Sequence, residues 1–163
     1  MTAHASAETA RRRRRLVTGV KDALRDLNRQ LSVLDHRVGA RAKLKDADLD
    51  CLDIISRQGP LGPSALARLA GLHPATITGI LDRLERDGWV VRERDPDDRR
   101  AVVVRALRER GGELFRLYGG MNRSMDELIA GYRDDELELL AGFLRRVTEA
   151  GEQATNELNG PTT

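Results

Sequence analysis

Apolar residues recur every three or four positions along the first forty residues. This spacing places them on one side of an α-helix, with charged residues on the other side. The stripe consists of Leu16, Val20, Leu24, Leu27, Leu31, Leu34 and Val38. It predicts one long helix. Residues 1–10, which are small, polar and without periodicity, predict a disordered tail in front of it.

A second helix is predicted to begin at Asp46, a residue type that caps helix N-termini, and to end at Gly59. The segment Ser64–Arg105 then predicts two short helices followed by a β-hairpin. Pro63 and Pro74 mark the helix starts, and Gly71 and Gly88 mark their ends. The apolar positions are Leu66 and Leu69 in the first helix, Ile77, Leu81 and Leu84 in the second, and the runs 89–91 and 101–104 in the hairpin. This order predicts a winged helix-turn-helix, spanning about residues 44–106.

Two further apolar stripes follow the hairpin. The first comprises Leu114, Tyr118, Met121, Met125, Leu128 and Tyr132, and the second comprises Leu137, Leu140, Leu144 and Val147. The second predicts a final helix capped by Asp134 or Asp135, and periodicity is lost in a C-terminal tail over residues 151–163. The predicted fold is mainly α with a small β-hairpin wing, in one domain over residues 11–150.

The stripes of the terminal helices, at about 11–40 and 107–150, have no obvious partner within the chain. A second copy of the chain would bury them, so the pattern predicts a homodimer with dimerisation helices at both ends. Packing within one chain is the alternative.

The composition restricts the class of protein. Of 163 residues, 33% are charged and 40% hydrophobic, and no apolar run is long enough to cross a membrane, which predicts a soluble, cytoplasmic protein. The net charge is only +2, but Arg11–Arg15 is a continuous basic run, either a solvated face or an arm that touches DNA phosphates. The single cysteine, Cys51, excludes an internal disulfide.

The segment from the first short helix to the wing resembles the MarR (multiple antibiotic resistance regulator) family. The resemblance lies in GWVVR at Gly88–Arg92, DPDDRRAVVV at Asp95–Val104, and the preceding LARLAGL and ATITGILDRLERDG. It implies an intertwined dimer that binds double-stranded palindromic DNA and regulates transcription. The family's members are often repressors that a small phenolic or lipophilic ligand releases from DNA. The ligand cleft would be lined by residues 31–38, 49–55 and 114–118, and no individual ligand-binding residue is predicted.

Candidate DNA-binding residues occupy the second short helix, whose N-terminal turns would enter the major groove. They are His73, Ala75, Thr76, Thr78, Gly79 and Arg83. His73 departs from the Ser, Thr or Asp that the family commonly has at the helix cap. Gly79 departs from a common family arginine, so it removes an expected base or phosphate contact.

Four further candidates lie in the wing. By the resemblance, Arg100 would enter the minor groove, Asp98 would orient the wing by pairing with an arginine, and Arg92 would lie at the wing base. Arg99 is predicted to contact a phosphate.

Other chemistry finds little support in the sequence. Cys51 shares its helix with apolar residues and is predicted to be a small buried hydrophobe. His4, His36 and His73 are scattered, so no metal site and no cofactor is predicted, although His36 beside Asp35 keeps a metal possible. No catalytic constellation is recognised, which predicts a non-enzyme. The alternatives left open are a dimeric protein-interaction module with little DNA binding and a redox- or metal-responsive regulator.

Overall fold

The structure, a computed structural model, describes residues 2–98 and 100–158. Its elements, in chain order, are α1 (Thr2–Ala42), α2 (Asp46–Gln58), α3 (Pro63–Ala70), α4 (Pro74–Arg86), β1 (Val90–Arg94), β2 (Val102–Ala106), α5 (Arg108–Leu117), α6 (Gly119–Ile129) and α7 (Asp134–Leu158). They form two compact units, one ending at Leu117 and the other beginning at Tyr118. The predicted class, mainly helical with a small hairpin, is confirmed.

The core of the first unit lies between α2, α3, α4 and the hairpin. Its most deeply buried side chains come from all of these elements: Cys51, Ile55, Leu66, Ile77, Ile80, Leu81, Leu84, Trp89, Val90 and Val104. β1 and β2 pair antiparallel, with Val90 opposite Ala106 and Arg94 opposite Val102. Leu61 adds a short third bridge by exchanging two backbone hydrogen bonds with Val104, at 2.9 and 3.2 Å. This bridge holds the wing against the start of α3.

Two glycines end the short helices as the sequence predicts. Gly71 has φ 64° and Gly88 has φ 73°, a left-handed conformation that glycine adopts without a steric penalty. The N–H of Leu107 then donates to the carbonyl of Trp89 at 2.9 Å, so α5 begins directly beside the end of α4.

Several boundaries differ from the prediction. α1 begins at Thr2 and α7 ends at Leu158, so residues 2–10 of the predicted disordered tail and residues 151–158 of the predicted C-terminal tail are helical, and the remaining residues of both tails lie outside the described residues. Residues 2–10 include four alanines, and residues 151–158 include Glu152, Gln153, Ala154 and Glu157. Neither stretch contains proline, and these residue types favour helix even without an apolar stripe.

Three local predictions were also wrong. The stripe from Leu114 to Tyr132 is split into α5 and α6, because two glycines follow Tyr118. The N-cap of α2 is Lys45, so Asp46 is the first helical residue and its charge favours the helix N-terminus. Leu69 of α3 is 46% exposed rather than part of the core.

The apolar stripes of the long helices remain on the surface of each unit. In the first unit these include Leu16, Val20, Leu27 and Leu31 of α1; in the second they include Leu128, Leu140, Leu144 and Val147. No helix in the described part of the chain is both long and apolar enough to cross a membrane.

Candidate nucleic-acid interface

α4 is held at both ends by local contacts. Its N-cap is His73, whose Nδ1 accepts a hydrogen bond from the backbone N–H of Ala75 at 3.2 Å. Imidazole therefore performs the capping that the short oxygen side chains of the family usually perform. Pro74 follows at the first helical position, where a backbone N–H would have no partner within the helix, so the missing N–H of proline costs nothing.

One face of α4 is buried and the opposite face is open. Ile77, Ile80, Leu81 and Leu84 are at most 1% exposed. The predicted contact residues of the first two turns lie on the open side: His73, Ala75, Thr76 and Thr78 are exposed and Gly79 is partly exposed. The structure therefore brings these five predicted residues together on one accessible surface. The hydroxyl of Thr78 donates to the carbonyl of Pro74 at 3.2 Å, which leaves its oxygen able to accept.

Arg83 lies beside this surface and is paired with a residue of α2. Its Nη2 donates to Oδ1 of Asp48 at 2.6 Å and its Nε donates to Oδ2 at 3.1 Å, in a bidentate pair with a carboxylate that is 3% exposed. The hydrogen bond to Asp48 raises the pKa of Arg83 above its ordinary value. Two of its three guanidinium nitrogens join α4 to α2, and the third, Nη1, lies near Gly79, so a contact of Arg83 with DNA stays a prediction.

Arg92 is also held within the domain. Its guanidinium donates to Asp82 at 2.6 Å and to Glu85, and its backbone N–H donates to Glu85 at 3.1 Å. The side chain lies at the wing base, as the resemblance implies, but its described contacts join β1 to α4. Its role in this arrangement is to fix the wing relative to the recognition helix.

The wing tip is shaped by acidic side chains that accept backbone hydrogen bonds. The Asp95 carboxylate accepts from the N–H of Asp97 at 2.8 Å, and the Asp98 carboxylate accepts from the N–H of Arg100 at 3.0 Å. Asp98 therefore shapes the tip through the backbone, and its pairing with an arginine side chain stays a prediction. Arg100 is exposed at the tip. Arg99 lies outside the described residues.

A second arginine of the hairpin is paired along its side. Arg105 Nη2 lies 2.6 Å from Glu93 Oε1, in a diagonal cross-strand pair. The hydrogen bond from Arg105 lowers the pKa of Glu93. Glu93 is exposed and Arg105 is partly exposed, and their contact joins β1 to β2 along the side of the wing.

Sequence reasoning missed Asp48, Asp82 and Glu85, which hold Arg83 and Arg92 in place. Asp48 is the one strong signal that was available, because an aspartate on the apolar side of a helix requires a partner. The partner lies 35 residues further along the chain, so its identity could not be deduced from local spacing.

Cys51 is fully buried, which confirms its prediction as a small core residue. Burial, with the nearby Asp50 and Asp48 carboxylates, raises the pKa of the Cys51 thiol to about 11. His36 Nδ1 lies 3.1 Å from Oδ1 of Asp46. Within residues 2–98 and 100–158, no three His, Cys, Asp or Glu side chains are grouped in a way that would hold a metal ion.

A shallow cavity of about 320 Å³ opens where α1 meets α2. It is lined by His36, Ala40, Leu44, Lys45 and Asp46. It overlaps the expected ligand cleft only at residues 31–38. In the α5 part of that cleft, Leu114 and Leu117 pack against the core.

A three-helix core, an accessible helix after a tight glycine turn, and a two-stranded wing braced against that helix define a winged helix-turn-helix protein. Comparisons with known proteins agree. The MarR family profile matches residues 44–102. The uncharacterized HTH-type transcriptional regulator YcgE of Bacillus subtilis (strain 168) is 34% identical over 128 residues, which cover 78% of this chain and 83% of that protein. The HTH-type transcriptional repressor YetL of the same organism is 26% identical over 125 residues, covering 75% and 74%.

Solved structures share the fold. A crystal structure of MarR superposes with a TM-score of 0.59 at 28% identity, over 84% of this chain and 93% of that one. The transcriptional regulator Tm0710 from Thermotoga maritima superposes with a TM-score of 0.60 at 24% identity, over 85% and 98%. The chain belongs to the MarR family, and it is a DNA-binding transcriptional regulator.

Proposed function

We propose that this chain is a homodimeric repressor that binds a palindromic operator and leaves it when a small molecule binds. The observation that carries the proposal is the open face of α4 beside a wing with an exposed Arg100. Both elements are fixed to the same core, so they can contact a major groove and the adjacent minor groove together.

The exposed apolar stripes support the dimer. Leu16, Val20 and Leu27 of α1 are each more than 40% exposed, as are Leu140 and Leu144 of α7. Exposed apolar side chains in a continuous row at helical spacing are typical of a protein interface. A second copy would bury them and place two recognition helices about one DNA turn apart.

The cavity between α1 and α2 supports the small-molecule effector. Its volume of about 320 Å³ suits a small ligand. Leu44 and Ala40 provide an apolar wall, and Lys45 provides a donor for an acidic or phenolic group. The Asp46 carboxylate also lines the cavity and lies 3.1 Å from His36 Nδ1. A ligand there would contact both the first helix and the first element of the winged domain.

The function can be tested with purified protein. A pool of duplexes with twenty random base pairs is selected on the protein, and the affinity of an enriched duplex is then compared with that of its scrambled form. Palindromic enrichment and at least a hundredfold preference are expected. A panel of phenols and medium-chain fatty acids is then tested for thermal stabilisation of the protein and release of the duplex. If duplexes are enriched but no compound stabilises the protein or releases the DNA, sequence-specific DNA binding is supported and regulation by such a small molecule is contradicted.

A further inference from the structure

The open face of α4 carries small side chains in the turns that would meet DNA bases. At 100° per residue, Ala75 and Gly79 lie opposite the buried Ile77 and Leu84, and Thr76 flanks them. All three are exposed or partly exposed. This part of the helix therefore presents a methyl group, a bare backbone and a threonine side chain, with Nη1 of Arg83 beside the glycine.

Gly79 is not required by the fold of this chain. Its backbone is helical, and a Cβ added there would meet only Nη1 of Arg83, at an ordinary 3.7 Å. Glycine inside a helix costs about 1 kcal/mol relative to alanine. No turn and no close contact among the described residues requires glycine at this position. We therefore attribute the glycine to a binding partner, because a missing side chain permits close approach of the helix backbone to that partner.

Both arginines of α4 lie further along the helix than these two turns, and both are paired with a carboxylate. Arg83 is paired with Asp48, and Arg86 donates to its neighbour Asp87 at 3.0 Å. Arginine is the residue type that most often recognises guanine, through its O6 and N7. The first two turns of α4 carry no arginine of their own, and the guanidinium whose Nη1 comes close to Gly79, that of Arg83, is anchored to Asp48 through its other two nitrogens.

We propose that α4 recognises thymine, through contacts of the Ala75 and Thr76 methyl groups with the thymine 5-methyl group. The major-groove edge of an A·T pair presents this methyl, and alanine and threonine are among the side chains that contact it. Gly79 lets the helix approach the groove floor closely enough for such short side chains to reach it. Each half-site then has an obligatory thymine where the first turn of α4 lies. The inference rests on the proposed function, since it assumes that α4 enters the major groove.

The test begins with duplexes selected from the random pool. Each thymine of an enriched half-site is replaced in turn by uracil, which pairs identically and lacks only the 5-methyl group. One or two positions per half-site are expected to weaken binding, by roughly fourfold for each methyl removed. Uracil at flanking positions outside the half-site serves as the matched control, and these substitutions are expected to change affinity by less than a factor of about two.

A second experiment tests whether the Thr76 methyl group is the protein group that contacts the thymine methyl group. Thr76→Ser removes the methyl group and keeps the hydroxyl, and Thr148→Ser in α7 is the matched control. On the thymine duplex Thr76→Ser is expected to bind more weakly than wild type. On the uracil duplex the two proteins are expected to bind within a factor of about two of each other, because the methyl contact is already lost.

The outcomes separate the two hypotheses. If no sequence is enriched from the random pool, sequence-specific binding fails and the thymine inference fails with it. If sites are enriched but carry an invariant guanine and tolerate uracil at every position, the proposed function stands and the thymine inference is overturned.

Discussion

The guanidinium of Arg110 lies 3.9 Å from the centroid of the Trp89 ring, in a cation–π contact between α5 and the residue that follows the recognition helix. The same guanidinium donates to the backbone carbonyl of Asp87 and to Glu113. The Arg110 side chain of α5 therefore contacts both Asp87, at the end of α4, and the buried Trp89. The orientation of the recognition helix is fixed at its C-terminal end by this contact.

Arg110→Gln is expected to destabilise the protein by about 1 kcal/mol, since it removes a cation–π contact and a charged hydrogen bond. Trp89 is the single tryptophan of the chain, so its fluorescence reports the change directly. The emission maximum is expected to shift to longer wavelength as water reaches the ring, and the urea midpoint is expected to fall. Arg108→Gln, an exposed arginine of the same helix, is the control. Identical emission and midpoints in the two variants would contradict the contact.

Arg83→Met is expected to reduce the free energy of unfolding by about 3 kcal/mol, because it leaves the buried Asp48 carboxylate without its partner. Asp48→Asn is expected to cost less, about 1–2 kcal/mol, because Arg83 is one-third exposed and can be hydrated. The double variant Asp48→Leu/Arg83→Met is expected to recover much of the loss. Urea titration monitored by Trp89 measures all three.

The same variants separate a structural role for Arg83 from a DNA contact. A structural role predicts that the double variant, once folded, binds its operator with nearly wild-type affinity. Unchanged stability in Arg83→Met, together with weaker DNA binding, would restore the direct contact that the sequence suggests.

The Cys51 thiol is expected to resist modification in the native protein. With its pKa at about 11, roughly 0.1% is thiolate at pH 8, so disulfide reagents should react slowly until urea unfolds the chain. Because the pKa is raised in the folded state, this thiol contributes stability that is complete below about pH 9 and declines as pH rises to about 11. The difference in unfolding free energy between wild type and Cys51→Ala should follow that decline. Peroxide-dependent loss of DNA binding that disappears in Cys51→Ala would show a redox switch instead.

Light scattering is expected to give about twice the chain mass of 18.1 kDa at micromolar concentration. Leu140→Asp places a charge in the apolar stripe of α7 and should convert the dimer to monomer or unfold it. Gln153→Asp, which adds a charge to the polar side of the same helix, should leave the mass unchanged. A monomeric mass for the wild-type protein would contradict both the proposed dimer and the proposed palindromic operator.

Arg100→Ala is expected to weaken operator binding by about 1–3 kcal/mol, with a larger loss when the flanks are rich in A·T pairs, whose minor groove is narrow. Arg99→Ala is expected to weaken operator and scrambled duplexes equally and to reduce the salt slope by about one unit per lost phosphate contact. Titration of both duplexes at several salt concentrations distinguishes the two roles. Wild-type affinity in a folded Arg100→Ala protein would contradict the predicted contact of Arg100 with the minor groove.

The sequence predicted those features that local chemistry determines. Pro63, Gly71 and Gly88 mark helix boundaries by their own backbone preferences, and the β-branched runs form the hairpin as expected. The open face of α4 followed from the spacing of Ile77, Leu81 and Leu84. The pairing of Arg83 did not follow, because its partner is brought near by the packing of α2 against α4.

The extent of the long helices was the other part that spacing did not determine. Periodicity reports where a helix has an apolar side, whereas α1 continues to Thr2 through residues that favour helix on their own. The break at Tyr118 had a visible signal in Gly119–Gly120, but a continuous stripe was read across it.

The bare surface at Gly79 also has an evolutionary consequence. A Cβ at this position meets only Nη1 of Arg83, at 3.7 Å, so an alanine would leave the core, the wing and the Asp48 pair undisturbed. After gene duplication, one codon change here could direct a copy to a different set of promoters while its sibling kept the original set. A substitution at residue 79 could therefore change which promoters the protein binds without changing its fold.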